Sequence, residues 1–153
     1  CPYPARLIME AQISNLPLWI LLLPLFGFVL NGVVIPLAKK GFAQTLPHQA
    51  ALAATLPIGL AFICAIMAFK SIATGGPLVI TPYKWLEIGG LSIDFSLKID
   101  RLSGLLVMII TGVGTLIHIF SAGYMGHEPC VGRYFSYLSL FCFSMLLLVM
   151  GNE

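Results

Sequence analysis

The sequence predicts an all-α membrane protein, with four transmembrane helices and a surface β-hairpin between helices 2 and 3. Three observations lead there. Of 153 residues, 59% are hydrophobic and only 9% charged, against roughly 45–50% and 25% in an ordinary soluble domain. The apolar residues are gathered into four uncharged runs, near the ~20 residues needed to cross a hydrocarbon core of about 30 Å. The one long linker between those runs alternates apolar and polar residues with a period of two, the pattern of a half-buried strand. Eight Lys or Arg and six Asp or Glu leave a net charge of +2, too sparse to neutralise a nucleic-acid backbone. The expected partner is lipid, with no nucleic acid.

A tail over residues 1–15 precedes the first run, and Met9 is a possible true start within it. The segment predicted to build the membrane domain is 16–153. Its first span, Leu16 to Leu37, is too long for a signal-peptide h-region and has no small-residue cleavage site after it. The second, Ala51 to Phe69, is stopped by Lys70. Pro24 and Pro57 fall inside these two spans, which is tolerated in lipid because neighbouring helices and waters re-satisfy the freed carbonyls. Leu102 to Met125 forms the third span, and Tyr134 to Met150, at the lower length limit, the fourth. Between spans two and three, Leu91 to Asp100 is apolar at every odd position and polar at every even one, and Lys84 to Ile88 is a shorter candidate strand. Gly89-Gly90 between them reach positive φ without strain, as a tight hairpin turn requires. The expected hairpin covers about 84–100, and needs another surface to cover its apolar face. An irregular loop is the alternative.

Cys1, Cys64, Cys130 and Cys142 form no CxxC pair and have no His at ligand spacing, so neither a metal site nor a disulfide framework is expected. Cys64 and Cys142 lie within spans, where a thiol is a small apolar filler. No GxxxxGK[ST], GxSxG or HExxH motif is present, and no catalytic residue is expected in this segment. One residue stands apart. His118 lies about 7 Å along the axis from the middle of the third span, and an ionisable side chain at that depth usually faces protein or water. Its ordinary pKa near 6.5 suits proton exchange at neutral pH, which makes it a proton-path candidate. The plainer reading, which the sequence alone favours, is a neutral His bonded to a neighbouring helix. Gly112, Gly114, Ser121, Ala122 and Gly123 are small residues on the same helix, suited to close helix packing.

Several of these residues also carry a resemblance. Ile99-Asp100-Arg101-Leu102-Ser103, Thr111 to His118, Gly123-Tyr124-Met125, and Arg133-Tyr134-Phe135 running to Leu148-Val149-Met150-Gly151-Asn152 resemble the large antiporter-like subunit of respiratory complex I. This is the L subunit of NADH-quinone oxidoreductase in bacteria and chain 5 in mitochondria. The order of two spans, a hairpin-bearing linker, a third span with the GVG and His signature and then a fourth is similar too. The resemblance covers Leu16 to Asn152 and is densest from Ile99 onward.

It implies the N-terminal part of a longer proton-translocating subunit, embedded in the bacterial inner membrane beside the other membrane subunits of the complex. Such a subunit binds no cofactor of its own, while NADH, FMN, iron-sulfur clusters and quinone serve the whole enzyme. Family proton carriers start with a Glu in a Gly-Trp-Glu motif on the fifth span, and Glu153 precedes that point, so no catalytic role transfers to this chain. The implied role of these 153 residues is scaffolding, with the isolated chain inactive, and Asn152-Glu153 resembles the start of a turn into the next helix. Lys and Arg counts place five (Arg6, Lys70, Lys84, Lys98, Arg101) on the tail and linker side and three (Lys39, Lys40, Arg133) on the other. Charge alone thus puts the linker in the cytoplasm, whereas the resemblance implies that the hairpin is periplasmic. A multisubunit sodium/proton antiporter subunit, a membrane hydrogenase subunit and a stand-alone small membrane scaffold are the alternatives.

Overall fold

The computed structural model describes residues 15–38, 47–88, 91–127 and 130–152. Most of them are helical, and four helices are long and apolar enough to cross a membrane: Leu16–Leu37, His48–Gly75, Arg101–Tyr124 and Val131–Met150. The first is composite. α1 (Leu16–Val29) passes through a π-helical turn, Leu30–Val34, into a last turn, α2 (Ile35–Ala38). The others are α3 (Pro47–Gly75), α4 (Arg101–Tyr124) and α5 (Val131–Met150). The chain is an integral membrane protein.

Two helix starts lie ahead of the apolar runs. α3 begins at Pro47, because proline at a helix N-terminus gives up an N–H that has no intrahelical partner there, so His48 and Gln49 are helical although polar. Arg133 similarly lies in the first turn of α5, with its own side chain exposed. The π-turn was not expected. Pro36, just after it, has no N–H, and its ring crowds the carbonyl four residues back, at Gly32. The helix widens there, and the N–H of Ile35 donates to the carbonyl of Leu30.

Neighbouring helices run antiparallel, as their close approaches show. A Cβ on Gly27 would lie 3.6 Å from the Ala53 carbonyl, and one on Gly112 would lie 2.9 Å from the ring of Phe62. A Cβ on Gly114 would lie 3.2 Å from Cys142 Sγ, and one on Gly27 would lie 3.5 Å from Ser139 Oγ. The result is an up-and-down four-helix bundle. Of the small residues on α4, Gly112 and Gly114 do receive other helices. Gly123 does not: it is exposed, with nothing within 4 Å of a Cβ.

The surface is apolar, unlike that of a soluble bundle, and several polar groups lie inside. Trp19, Phe26, Leu60, Leu116, Phe120 and Leu148 all point outward, while Asn31, Thr111, His118, Ser121, Ser136 and Ser139 are buried. Lipid explains this arrangement, since tails solvate the outer faces as well as protein would and leave the hydrogen-bonding groups to one another. An apolar cluster of Ile20, Ala68, Ile72, Leu97, Ile99, Val107 and Leu146 fills one end of the bundle. Ala50, Ala54, Val131 and Phe135 form a smaller cluster at the other end.

The linker between α3 and α4 contains β1 (Leu78–Ile88) and β2 (Leu91–Ile99), paired antiparallel from Leu78↔Ile99 to Ile88↔Leu91, with irregularities between Ile80 and Tyr83 and between Lys84 and Leu86. The Gly89-Gly90 turn lies outside the described residues, as do Cys1, Met9, Lys39, Lys40 and Glu153. Leu97 and Ile99 are fully buried, so one face of β2 rests on the bundle. A third strand, β3 (Gly151–Asn152), pairs with Ser96 and Leu97. Gly151 and Asn152 thus add a short edge to the β1–β2 pair.

Asp100 starts α4. Its carboxylate accepts from the Ser103 N–H and the Ser103 hydroxyl, both at 2.8 Å. The backbone and side-chain hydrogen bonds from Ser103 hold the carboxyl below its usual 3.8. Because the folded-state pKa is the lower one, the cap's contribution is complete above the unfolded value and is lost as pH falls through the folded one. Acidification below pH ~4 should thus lower the amide protection factors in the first turn of α4, each rate being taken relative to the free peptide at the same pH. Asp100→Asn, which keeps an acceptor for the Ser103 N–H, should remove that pH dependence, while Asp100→Ala should fray the turn at every pH. Protection factors independent of pH in the unmodified protein would contradict this.

Candidate functional site

His118 sits on the inner face of α4, fully buried. Its Nδ1 lies 2.7 Å from the carbonyl oxygen of Gly114, one turn back on the same helix. A carbonyl can only accept, so Nδ1 carries the hydrogen, which fixes the neutral tautomer. Nε2 then bears the lone pair and accepts from the Ser139 hydroxyl of α5 across a long 3.4 Å. Were Nε2 protonated, the same pair would work in reverse, with Nε2–H donating to Ser139 Oγ and only the hydroxyl rotating. The imidazole therefore has partners in both charge states. It also bonds to its own helix and to its neighbour at once, which is the helix-bonding geometry.

The ring is walled on one side by Phe135, fully buried, with centroids 5.9 Å apart, and Tyr134 stacks edge-on to Phe135 at 5.6 Å. One turn along α4 from His118, Ser121 Oγ meets the Tyr134 hydroxyl at 3.0 Å. These two contacts tie α4 to α5 at successive inward positions. A double-mutant cycle on Ser121→Ala and Tyr134→Phe should return a coupling of about 0.6 kcal/mol, the typical value for a hydrogen bond between membrane helices. A coupling of zero in a steric-trap or denaturant measurement would show that the contact contributes nothing.

The other buried polar groups near His118 are largely turned back onto their own helices. Thr111 donates to the Val107 carbonyl and Thr115 to the Thr111 carbonyl, each at 2.7 Å. Ser136 donates to the Gly132 carbonyl at 2.8 Å. Cys142 is buried beside Gly114, Cys64 is half-buried and Cys130 is exposed; all three are free. Among the described residues, no three His, Cys, Asp or Glu side chains come together.

Ser139 and Asn31 carry no charge to single them out in the sequence, and Tyr134 figures there only as a span boundary and in the resemblance. The available signal was positional: Ser136 and Ser139 are three apart on α5, and Asn31 is the one carboxamide in a 22-residue apolar run.

Comparison with known proteins gives these helices a context. The family described as NADH-ubiquinone oxidoreductase (complex I), chain 5 N-terminus, matches residues 85–135, from within β1 to Phe135. Subunit L of NADH-quinone oxidoreductase from Rickettsia felis is 32% identical over 141 residues, covering 92% of this chain and 21% of the relative. Chain 5 of NADH-ubiquinone oxidoreductase from Allomyces macrogynus is 34% identical over 140 residues, 89% of this chain and 21% of its own length. Subunit L from Mycobacterium tuberculosis reaches 53% over a shorter stretch of 71 residues, 46% of this chain and 11% of the relative. The chain thus spans about a fifth of the length of the relatives that it matches along most of its own. With the N-terminal family matched across β1, β2, α4 and the start of α5, and subunit L aligned along nine-tenths of the sequence, the chain belongs to the subunit L/chain 5 family of NADH-quinone oxidoreductase and corresponds to its N-terminal part.

Proposed function

We propose that these four helices are the opening scaffold of a proton-translocating membrane subunit of NADH-quinone oxidoreductase, in which NADH oxidation and quinone reduction elsewhere drive proton movement. The similarity to subunit L along 92% of the chain carries this reading. The few polar groups buried among the helices, His118 first among them, support it, since an ionisable side chain at membrane depth is usually turned toward protein and marks a functional position. In this reading the chain binds no redox group of its own. FMN, the iron-sulfur clusters and quinone belong to other subunits, which are its partners in a bacterial inner membrane. The paired strands lie at the membrane surface, where they clasp a neighbouring subunit.

His118 is the residue of this segment placed to exchange a proton. The spans carry no Asp, Glu, Lys or Arg between 16 and 37, 51 and 69, 102 and 125, or 134 and 150, so a proton finds no continuous set of stations within the four helices. Reconstituted alone in vesicles, the chain should give no proton flux above empty vesicles. Grafted in place of the matching segment of a subunit L within its complex, it should sustain NADH-driven proton uptake. Normal assembly of that chimera with uptake abolished would overturn the proposal.

A further inference from the structure

The geometry points to a site for one anionic phospholipid at the α3–α4 corner, with the phosphate on Arg101 and an acyl chain laid against the two helices. The span of α3 ends at Gly75 and that of α4 starts at Arg101, so this corner lies at the depth of the lipid headgroups. Two grooves open there side by side. The first, of about 520 Å³, runs between Gly76-Pro77 and Asp100-Arg101-Leu102. The second, of about 350 Å³, lies against Phe69 and Ala73. Arg101 and the buried Ile72 line both, so a cation and an apolar floor are common to the two.

Arg101 is exposed, and among the described residues no ion pair holds its guanidinium. Asp100 beside it is engaged elsewhere. One of its carboxylate oxygens takes both hydrogen bonds from Ser103, and Lys98 lies close enough to favour its charge. Two cations thus stand against a single, occupied carboxylate. The planar fork of a guanidinium matches a phosphate, and a cation at headgroup depth is drawn to anionic lipid. The walls supply what the rest of such a ligand needs. Leu102 is 70% exposed and Leu105, one turn deeper, 43% exposed, and Ala73 is exposed on α3, so apolar surface leads from the arginine into the bilayer. An inorganic phosphate uses none of it. Nothing lies within 4 Å of where a Cβ on Gly75 or Gly76 would stand, which leaves room for a headgroup. The site does not depend on the proposed role of His118 or on membership of a proton-pumping complex.

Native mass spectrometry of the full chain, released from phosphatidylcholine vesicles that contain a minor share of phosphatidylglycerol, tests the assignment. One phosphatidylglycerol should stay bound, enriched over its share of the bilayer. Arg101→Gln should cut that enrichment about fivefold, the worth of one arginine beside an anionic lipid surface, and Arg101→Lys, which keeps the charge but not the fork, should lose less. Ala73→Phe, which fills a groove wall and leaves every charge in place, should also expel the lipid. Arg133→Gln, at the opposite end of the bundle, should leave it bound, with the four helices intact by circular dichroism in each variant. Equal retention of the two lipids by the unmodified chain, or an enrichment indifferent to Arg101→Gln, would overturn the proposal. So would a loss as large in Arg133→Gln, or full retention by Ala73→Phe, since diffuse charge would then be holding the lipid.

Discussion

Gly114→Leu should separate α4 from α5 and lower stability by about 3 kcal/mol or more, the upper end for an overpacked core. Even a Cβ at this position would lie 3.2 Å from Cys142 Sγ and 3.7 Å from the Ile58 side chain, so the rest of a leucine has no room. The same residue offers the carbonyl that holds His118 Nδ1, and displacing the helix moves that acceptor. Gly114→Ala should be milder, needing only a few tenths of an ångström from Cys142, and Cys142→Ala should rescue it. Unfolding in mixed micelles measures both variants; a leucine variant as stable as the parent would show that the α4–α5 seam is looser than described.

His118→Ala is expected to lower proton transport by a complete subunit carrying this segment while NADH oxidation continues. It should also cost about 2 kcal/mol of stability from the cavity and the lost contact with Ser139. The two effects separate with His118→Gln, which keeps a side chain able to bond to Ser139 but takes up no proton. If the stability loss is repaired and transport stays low, the imidazole acts as an acid and base. If transport returns with stability, its work is to join helices. Unchanged transport by a normally assembled His118→Ala complex would remove His118 from the proton path.

Much of this architecture was legible because lipid imposes a blunt rule: backbone groups must be paired inside the segment, and charges must stay out. Uncharged runs of sufficient length identify the spans, and the ends shift by a few residues where a helix continues into polar ground, as at His48 and Arg133. The alternation from Leu91 to Ile99 points to β2 for the same kind of reason, since burying Leu97 and Ile99 needs every second residue. The π-turn was not legible, because it follows from the crowding of one carbonyl by Pro36 and not from any periodicity. Nor were the partners of His118. Sequence places His118 at depth, but Ser139 and Phe135 reach it only through the way α5 lies against α4.

The short strand at Gly151–Asn152 bears on how the bundle can move. By pairing with Ser96 and Leu97, it moors the C-terminal end of α5 to a ladder whose other rungs belong to the α3–α4 connection. α5 cannot slide like a free piston: any travel along its length must either drag that ladder with it or break its rungs.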